Sequence, residues 1–313
     1  MKGLEICKQY FLSYGRDMLD GDFADVKDRI AAGLAGEGSE CMGFDDELSR
    51  DHDFEPAFCL WLTKEDERKF GFKLARAYAK LPKEFMGLKR QNFSPMGGDR
   101  HGVLVIDDFY EKLLGAPHAP DTAAGWLHTP EHCLATACSG EVWADPLGAF
   151  SAIRGVLLKG YPEDIRRKKL AARAAVMAQA GQYNYARCIS RKENGAAQLA
   201  VFEFVKNAAH TVYLLNGRYA PYDKWIFRGM RDLPVLSSLE EPLTFLLETG
   251  NSPAEAQGKA EIIEDVAAMI CDEYRSQKLS AATCINLSTH ANAITDGIRD
   301  ADIRNLHLMD GAN

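Results

Sequence analysis

Gly36-Glu37-Gly38-Ser39, followed after eleven residues by Asp51-His52-Asp53-Phe54, is the stretch whose reading decides the fold of the first part of the chain. A Gly-Ser turn lets backbone N–H groups approach a phosphate closely, and two aspartates at i and i+2 share one face of a strand. Between Gly36 and Pro56 eight acids (Glu37, Glu40, Asp45, Asp46, Glu47, Asp51, Asp53, Glu55) stand against one arginine, Arg50. Carboxylates packed that densely repel one another unless a cation neutralises some of them. The pattern points to a divalent metal held against a phosphate, the chemistry of phosphoryl or nucleotidyl transfer.

Upstream, Arg29 to Gly36 reads as a short strand running into the Gly-Ser turn, behind an amphipathic helix over Met1 to Gly15. Downstream, Asp51 to Phe54 and Phe58 to Leu62 give a second strand region bent at Pro56. Thr63, with Asp66 three residues on, caps a helix that runs to about Leu81. The loop Ser94 to Gly98 leads to a third strand, Val103 to Ile106, ending at Asp107-Asp108, and a short helix closes at Gly115. Pro117 to Pro120 reads as a linker. Beyond it, the segments 146–158, 162–180, 199–215, 221–231, 234–247 and 253–274 carry apolar residues at three- and four-residue spacing, and five of them begin with proline. The expected class is α+β: a small α/β domain over residues 1–118, with a mixed sheet and flanking helices, followed by an all-helical bundle over 119–313.

Composition narrows the partners. With 313 residues, 46% hydrophobic and 26% charged, the chain has the balance of a soluble globular protein. It has no run of eighteen apolar residues, and its first helix lacks a signal-peptide core, so no membrane is expected and the cytoplasm is the expected location. Eight scattered cysteines without a Cys-x-x-Cys pair read as reduced, mostly buried thiols. A net charge of −8 argues against a nucleic-acid binder, while suiting a nucleotide brought in with its metal. His128, His132, Cys133 and Cys138 fit no zinc spacing. Arg166-Arg167-Lys168-Lys169 reads as a solvated helix face.

Several side chains are candidates for the site. Asp107 shares a strand face with Val103 and Val105 and is the preferred third carboxylate, although Asp107 and Asp108 also suit the acidic start of a helix. Asp45 and Asp46 suit a turn or a helix cap as well as a metal. His52 points to the other side of its strand. Lys224 and Arg228 lie four apart on one helix face beside Tyr219, Tyr222 and Trp225, and suit a phosphate and a stacked base. The alternative is ordinary core for the aromatics and a solvated face for the cations.

Gly38-Ser39 with Asp51-x-Asp53 resembles the nucleotidyltransferase superfamily, whose pattern is Gly-Gly/Ser, a spacer, Asp-x-Asp/Glu, and a third acid on a later strand. More closely, Ala31 to Glu40, Gly43-Phe-Asp-Asp-Glu47 and Ser49-Arg-Asp-His-Asp-Phe54 are similar to the domain-of-unknown-function family 4037, regarded as nucleotidyltransferase-like. The likeness continues at Gly140-Glu-Val-Trp-Ala-Asp145, Tyr161-Pro162, Tyr213-Leu-Leu-Asn216 and Tyr219 to Trp225, through to Arg228. It implies a nucleotidyltransferase-type sheet joined to a helical substrate-side domain. The implied activity is Mg²⁺-dependent placement of a nucleoside monophosphate, AMP favoured, from an NTP onto a hydroxyl of a small-molecule acceptor. Two Mg²⁺ ions, about 4 Å apart in such enzymes, would sit on Asp51 and Asp53 with Asp107 as third ligand. Gly38 and Ser39 would seat the triphosphate, with Lys224, Arg228 and Tyr222 on the nucleotide. Glu141, at the start of the helical domain, would be the general base. The alternatives are a nucleotide-binding regulatory module without catalysis, nucleotidylation of a protein side chain, and a helical partner-binding protein whose first domain is scaffold.

Overall fold

The computed structural model describes residues 1–46, 55–90 and 100–312. The chain divides into two compact units, one of Met1–Pro120 with His132–Lys159, the other of Asp121–Glu131 with Gly160–Asn313.

The first unit is built on a four-stranded mixed sheet in the order Gly102–Val105, Cys59–Leu62, Ala31–Leu34, Glu141–Ala144. Its strands are β1 (Ala31–Leu34), β2 (Cys59–Leu62), β5 (Gly102–Val105) and β6 (Glu141–Ala144). A separate hairpin pairs β3 (Glu84–Phe85) with β4 (Leu88–Lys89). β1 runs antiparallel to both β2 and β6, while β2 and β5 are parallel. The two central strands are buried at every position, which explains why Ala31 to Leu34 and Cys59 to Leu62 read as unbroken small or apolar runs. Alternate β2 side chains go to opposite faces. Leu60 and Leu62 pack with Tyr10, Phe11 and Leu19 of the N-terminal helices. Trp61 faces the other way and stacks on Phe150 with ring centroids 4.0 Å apart.

Local signals hold where the sequence places them. Thr63 Oγ1 accepts the Asp66 backbone N–H at 3.2 Å, and the Asp66 carboxylate takes Arg29 Nε at 2.6 Å. Helix then continues through a π-helical turn, Glu67–Gly71, to Phe72–Ala79. The helix Ile106–Leu114 stops at Gly115, whose φ of 75° is left-handed.

Two expectations change. The third strand ends at Val105, and Asp107 and Asp108 occupy the first turn of helix Ile106–Leu114. Their carboxylates face the positive end of that helix's dipole, so strand periodicity does not set their direction. Residues Glu141–Ala144, expected to open the helical domain, instead form an edge strand of the first unit's sheet, with Leu34 opposite Glu141. Val142 and Trp143 are residues that suit a half-buried pleated surface.

In the second unit every regular element is a helix among the described residues, the longest being Glu163–Met177, Asn194–Leu215 and Pro253–Ser276. Small residues let these helices approach: Ala171, Ala174, Ala208 and Ala267 lie in one core with Phe204, Ile270 and Tyr274. The α+β class therefore holds, as a small mixed sheet with flanking helices followed by a helical region. Among the described residues no helix is long and apolar enough to cross a membrane. All eight cysteines are free thiols. Burial pushes those of Cys7 and Cys59 up to about 12, which leaves them unreactive near neutral pH.

Candidate functional site

The Gly-Ser loop leaves β1 through two left-handed glycines, Gly36 with φ 113° and Gly38 with φ 127°. A side chain at Gly38 would collide with the Glu40 carboxylate, which folds back over the loop. Glu40 is buried, and that burial pushes its carboxyl up, against a hydrogen bond it accepts from its own backbone N–H. The loop is fastened from behind by Ser139. Its hydroxyl accepts the Gly36 N–H at 3.0 Å and donates to the Gly36 carbonyl at 2.7 Å. Gly140 N–H reaches the Cys41 carbonyl at 2.7 Å. The buried guanidinium of Arg154 in turn binds the Ser139 and Gly140 carbonyls at 2.8 and 2.9 Å. Sequence reading missed Ser139 and Arg154. The Ser-Gly pair ahead of β6 is the signal that a turn lies there.

In front of the loop lies a cavity of about 490 Å³ in the first unit. Gly36 and Glu37 form part of its wall, with Arg100, Asp108, Lys112 and Phe72 around it. β5 contributes Val103, Leu104 and Val105 as an apolar floor. Lys112 Nζ lies 3.4 Å from Glu37 Oε2. Two cations beside a glycine-rich loop suit phosphate oxygens, and the exposed Phe72 ring offers a flat apolar face.

Asp51, Asp53 and the loop Ser94 to Gly98 lie outside the described residues. Asp107 Oδ2 is 3.2 Å from Lys64 Nζ; Asp108, 3.9 Å from the same ammonium, is the one of the two that lines the cavity. Among the described residues no three His, Cys, Asp or Glu side chains gather as a metal site, the set His128, His132, Cys133, Cys138 included. Described donors alone thus do not fit Mg²⁺, and Asp107 already has a cation. Asp45 is a helix cap: its Oδ2 accepts the Gly3 N–H at 2.8 Å. Glu141, at the edge of the sheet, is 3.0 Å from Lys8 Nζ and accepts Trp143 Nε1–H at 3.2 Å, and it does not line the cavity. Lys224 and Arg228 lie on helix Asp223–Met230 of the second unit, after Tyr222, which is exposed. The Lys224 ammonium is 4.9 Å from the centre of the Trp225 ring. The cavity thus joins Gly36 and Glu37 to Asp108 and Lys112, and leaves Gly38, Ser39, Asp107 and Glu141 outside its wall.

A second group of charges, unread in the sequence, lies inside the second unit. Glu131 accepts a hydrogen bond from Arg173 Nη2 at 2.6 Å and pairs with His210 Nδ1 at 3.0 Å, with Lys169 Nζ at 3.6 Å. Burial alone would push Glu131 up, but Arg173, His210 and Lys169 together hold it well below the usual carboxylate range. Burial lowers His210 and favours its neutral imidazole. Lys168 and Lys169, expected on a solvated face, are fully buried. Arg166 and Arg167 of that run are partly buried as well, with side chains 18% and 19% exposed, and pair with Glu163 at the helix start.

Residues 126–226, about a third of the chain, match the model of the family described as "Domain of unknown function (DUF4037)". No curated protein and no solved structure matches the chain.

Proposed function

We propose that the protein is a Mg²⁺-dependent nucleotidyltransferase, placing a nucleoside monophosphate (AMP favoured) from an NTP onto a hydroxyl of a small-molecule acceptor in the cytoplasm. The observation that supports this reading is the cavity where the Gly36–Glu37 loop meets Arg100 and Lys112 over an apolar floor. Its volume is in the range of small-molecule sites. In this reading the loop through Gly38 and Ser39 takes the triphosphate, and Phe72 lies along the base. Asp51 and Asp53 would hold Mg²⁺, which would supply charge neutralisation at the α-phosphate of the NTP. Asp107 would join them by giving up Lys64, whereas Glu141, paired with Lys8, does not line this cavity and is not used as its base.

Thermal unfolding with each NTP, with and without Mg²⁺, tests this on the wild type and on Asp51→Asn/Asp53→Asn. The expected result is a Mg²⁺-dependent stabilisation by at least one NTP, about 2.7 kcal/mol at a hundredfold excess over Kd. It should be lost in the double variant. No shift with any NTP would sink the proposal. The Lys64–Asp107 pair favours a second reading, a nucleotide-binding module without catalysis. That reading expects the same stabilisation but no pyrophosphate release with any acceptor.

A further inference from the structure

Three buried cations on helix Glu163–Met177 each donate to one short segment of backbone near residue 310, and Arg173 also donates to the Asn207 side chain at 3.1 Å and to Glu131 at 2.6 Å. Lys168 Nζ donates to the carbonyls of Leu306 and His307 at 3.1 and 2.7 Å. Lys169 Nζ donates to the Gly311 carbonyl at 3.3 Å, and Arg173 NH1 to that of Ala312 at 3.1 Å. Lys169 and Arg173, four residues apart, share a helix face. All three residues are 1% exposed or less. One buried carboxylate, Glu131, serves Lys169 and Arg173, while the charge of Asp310, on the segment itself, acts on Lys168.

Carbonyl dipoles carry only partial charge. Among the described residues these three cations outnumber the carboxylates that face them, and an enclosed cation left unmatched costs several kcal/mol. Hydrogen-bonding capacity is also left over. Arg173 Nε and the Tyr161 hydroxyl are buried without a hydrogen-bond partner among the described residues, and Lys169 Nζ lies 5.3 Å from the Tyr161 ring centre. Fixed cationic donors aimed at a row of oxygens, with spare donors beside them, match the needs of a phosphate group.

We infer that Lys168, Lys169 and Arg173 form a binding site for a phosphate-bearing small molecule, and that the segment Leu306–Ala312 fills it with its own carbonyl oxygens until such a molecule displaces them. The inference is independent of nucleotidyl transfer and concerns the second unit alone. Gly311 makes it testable without touching a cation. Its φ of 97° belongs to glycine, and a Cβ there would stand 3.2 Å from Leu127 Cδ2 and 3.4 Å from Lys169 Cγ. Gly311→Val should therefore loosen the segment.

The probe is inorganic pyrophosphate without Mg²⁺, and the readouts are calorimetric affinity and amide hydrogen exchange on the full chain. Pyrophosphate should speed exchange at 306–312 at least tenfold in the wild type. Gly311→Val should bind it at least tenfold more tightly, and Lys168→Gln at least tenfold more weakly. Binding that leaves exchange at 306–312 unchanged, or that weakens in Lys112→Ala but not in Lys168→Gln, belongs to the first unit's cavity and overturns the inference. No binding by either the wild type or Gly311→Val overturns it as well. Should Lys168→Gln fail to fold, exchange in the wild type and the affinity of Gly311→Val still decide.

Discussion

In the first unit Lys64 meets Asp107 with the two side chains 50% and 40% exposed, and Lys112 meets Glu37 where the cavity opens. In the second, Glu131, Arg173 and Lys169 meet with at most 1% of each side chain exposed. The chemistry of the pairs is the same and their surroundings are opposite. Exposed pairs are solvated when apart, so a ligand can separate them at little cost. Enclosed ones have no water to fall back on, and removing one partner strands the other. The first unit's ion pairs can thus be exchanged for a ligand, whereas in the second the Glu131 pairs are ones the fold depends on, and only the carbonyl contacts of the same cations are open to exchange.

The comparison breaks most directly at Glu131. Glu131→Gln leaves Arg173 and Lys169 buried beside a neutral amide, and should destabilise the protein by about 3–5 kcal/mol in urea unfolding. A loss below about 1 kcal/mol would mean that water reaches the cluster and that the contrast between the units is false. Ser139→Ala is the next largest. It strips the hydroxyl from both the N–H and the carbonyl of Gly36, which are buried, at a cost of about 1–3 kcal/mol. The same change should weaken NTP binding, because the loop loses its fastening. Equal NTP affinity in Ser139→Ala would separate the loop from the cavity's function.

Acid provides a milder and reversible version of the first test. His210 is held below its ordinary value of 6.5, so its neutral form belongs to the fold and the unfolded chain binds the proton first. Its contribution is complete above pH 6.5 and is lost as pH falls below that. Glu131 is held well below 4.5, so its contribution is present above pH 4.5 and is lost as pH falls further. Stability followed by urea midpoint should therefore decline in two stages, and His210→Gln should remove the stage that begins as pH falls below 6.5. A single stage below pH 4.5 in the wild type would show that His210 is solvated.

What the sequence disclosed follows the range of the forces involved. The Thr63 cap, the stop at Gly115 and the strand before the Gly-Ser loop are decided within a few residues, and they stand where local chemistry puts them. β6 was missed because four residues gain strand geometry only by pairing with β1, more than a hundred positions earlier. Glu131 meets Arg173 and His210 across separations of 42 and 79 residues. Nothing local to Lys168-Lys169 distinguishes buried lysines from solvated ones. Of the opening motif, Gly36 and Glu37 line a cavity, Gly38 and Ser39 do not, and the Asp51-x-Asp53 half lies outside the described residues.

The smallest expected effect on stability is also the most useful for function. Lys64→Ala removes a half-exposed partner of Asp107 and Asp108 and should cost less than about 1 kcal/mol, as exposed pairs do. Its consequence for ligands depends on what Asp107 does. If Asp107 is a metal ligand restrained by the lysine, freeing it should strengthen the Mg²⁺-dependent part of NTP stabilisation. If Asp107 only serves the dipole of helix Ile106–Leu114, the variant should bind NTP as the wild type does, with the same Mg²⁺ dependence. Thermal shifts of Lys64→Ala and of Lys64→Ala/Asp107→Asn, with and without Mg²⁺, separate the two. A metal-dependent gain that disappears in the double variant assigns Asp107 to the metal; no gain in the single variant removes it from the site.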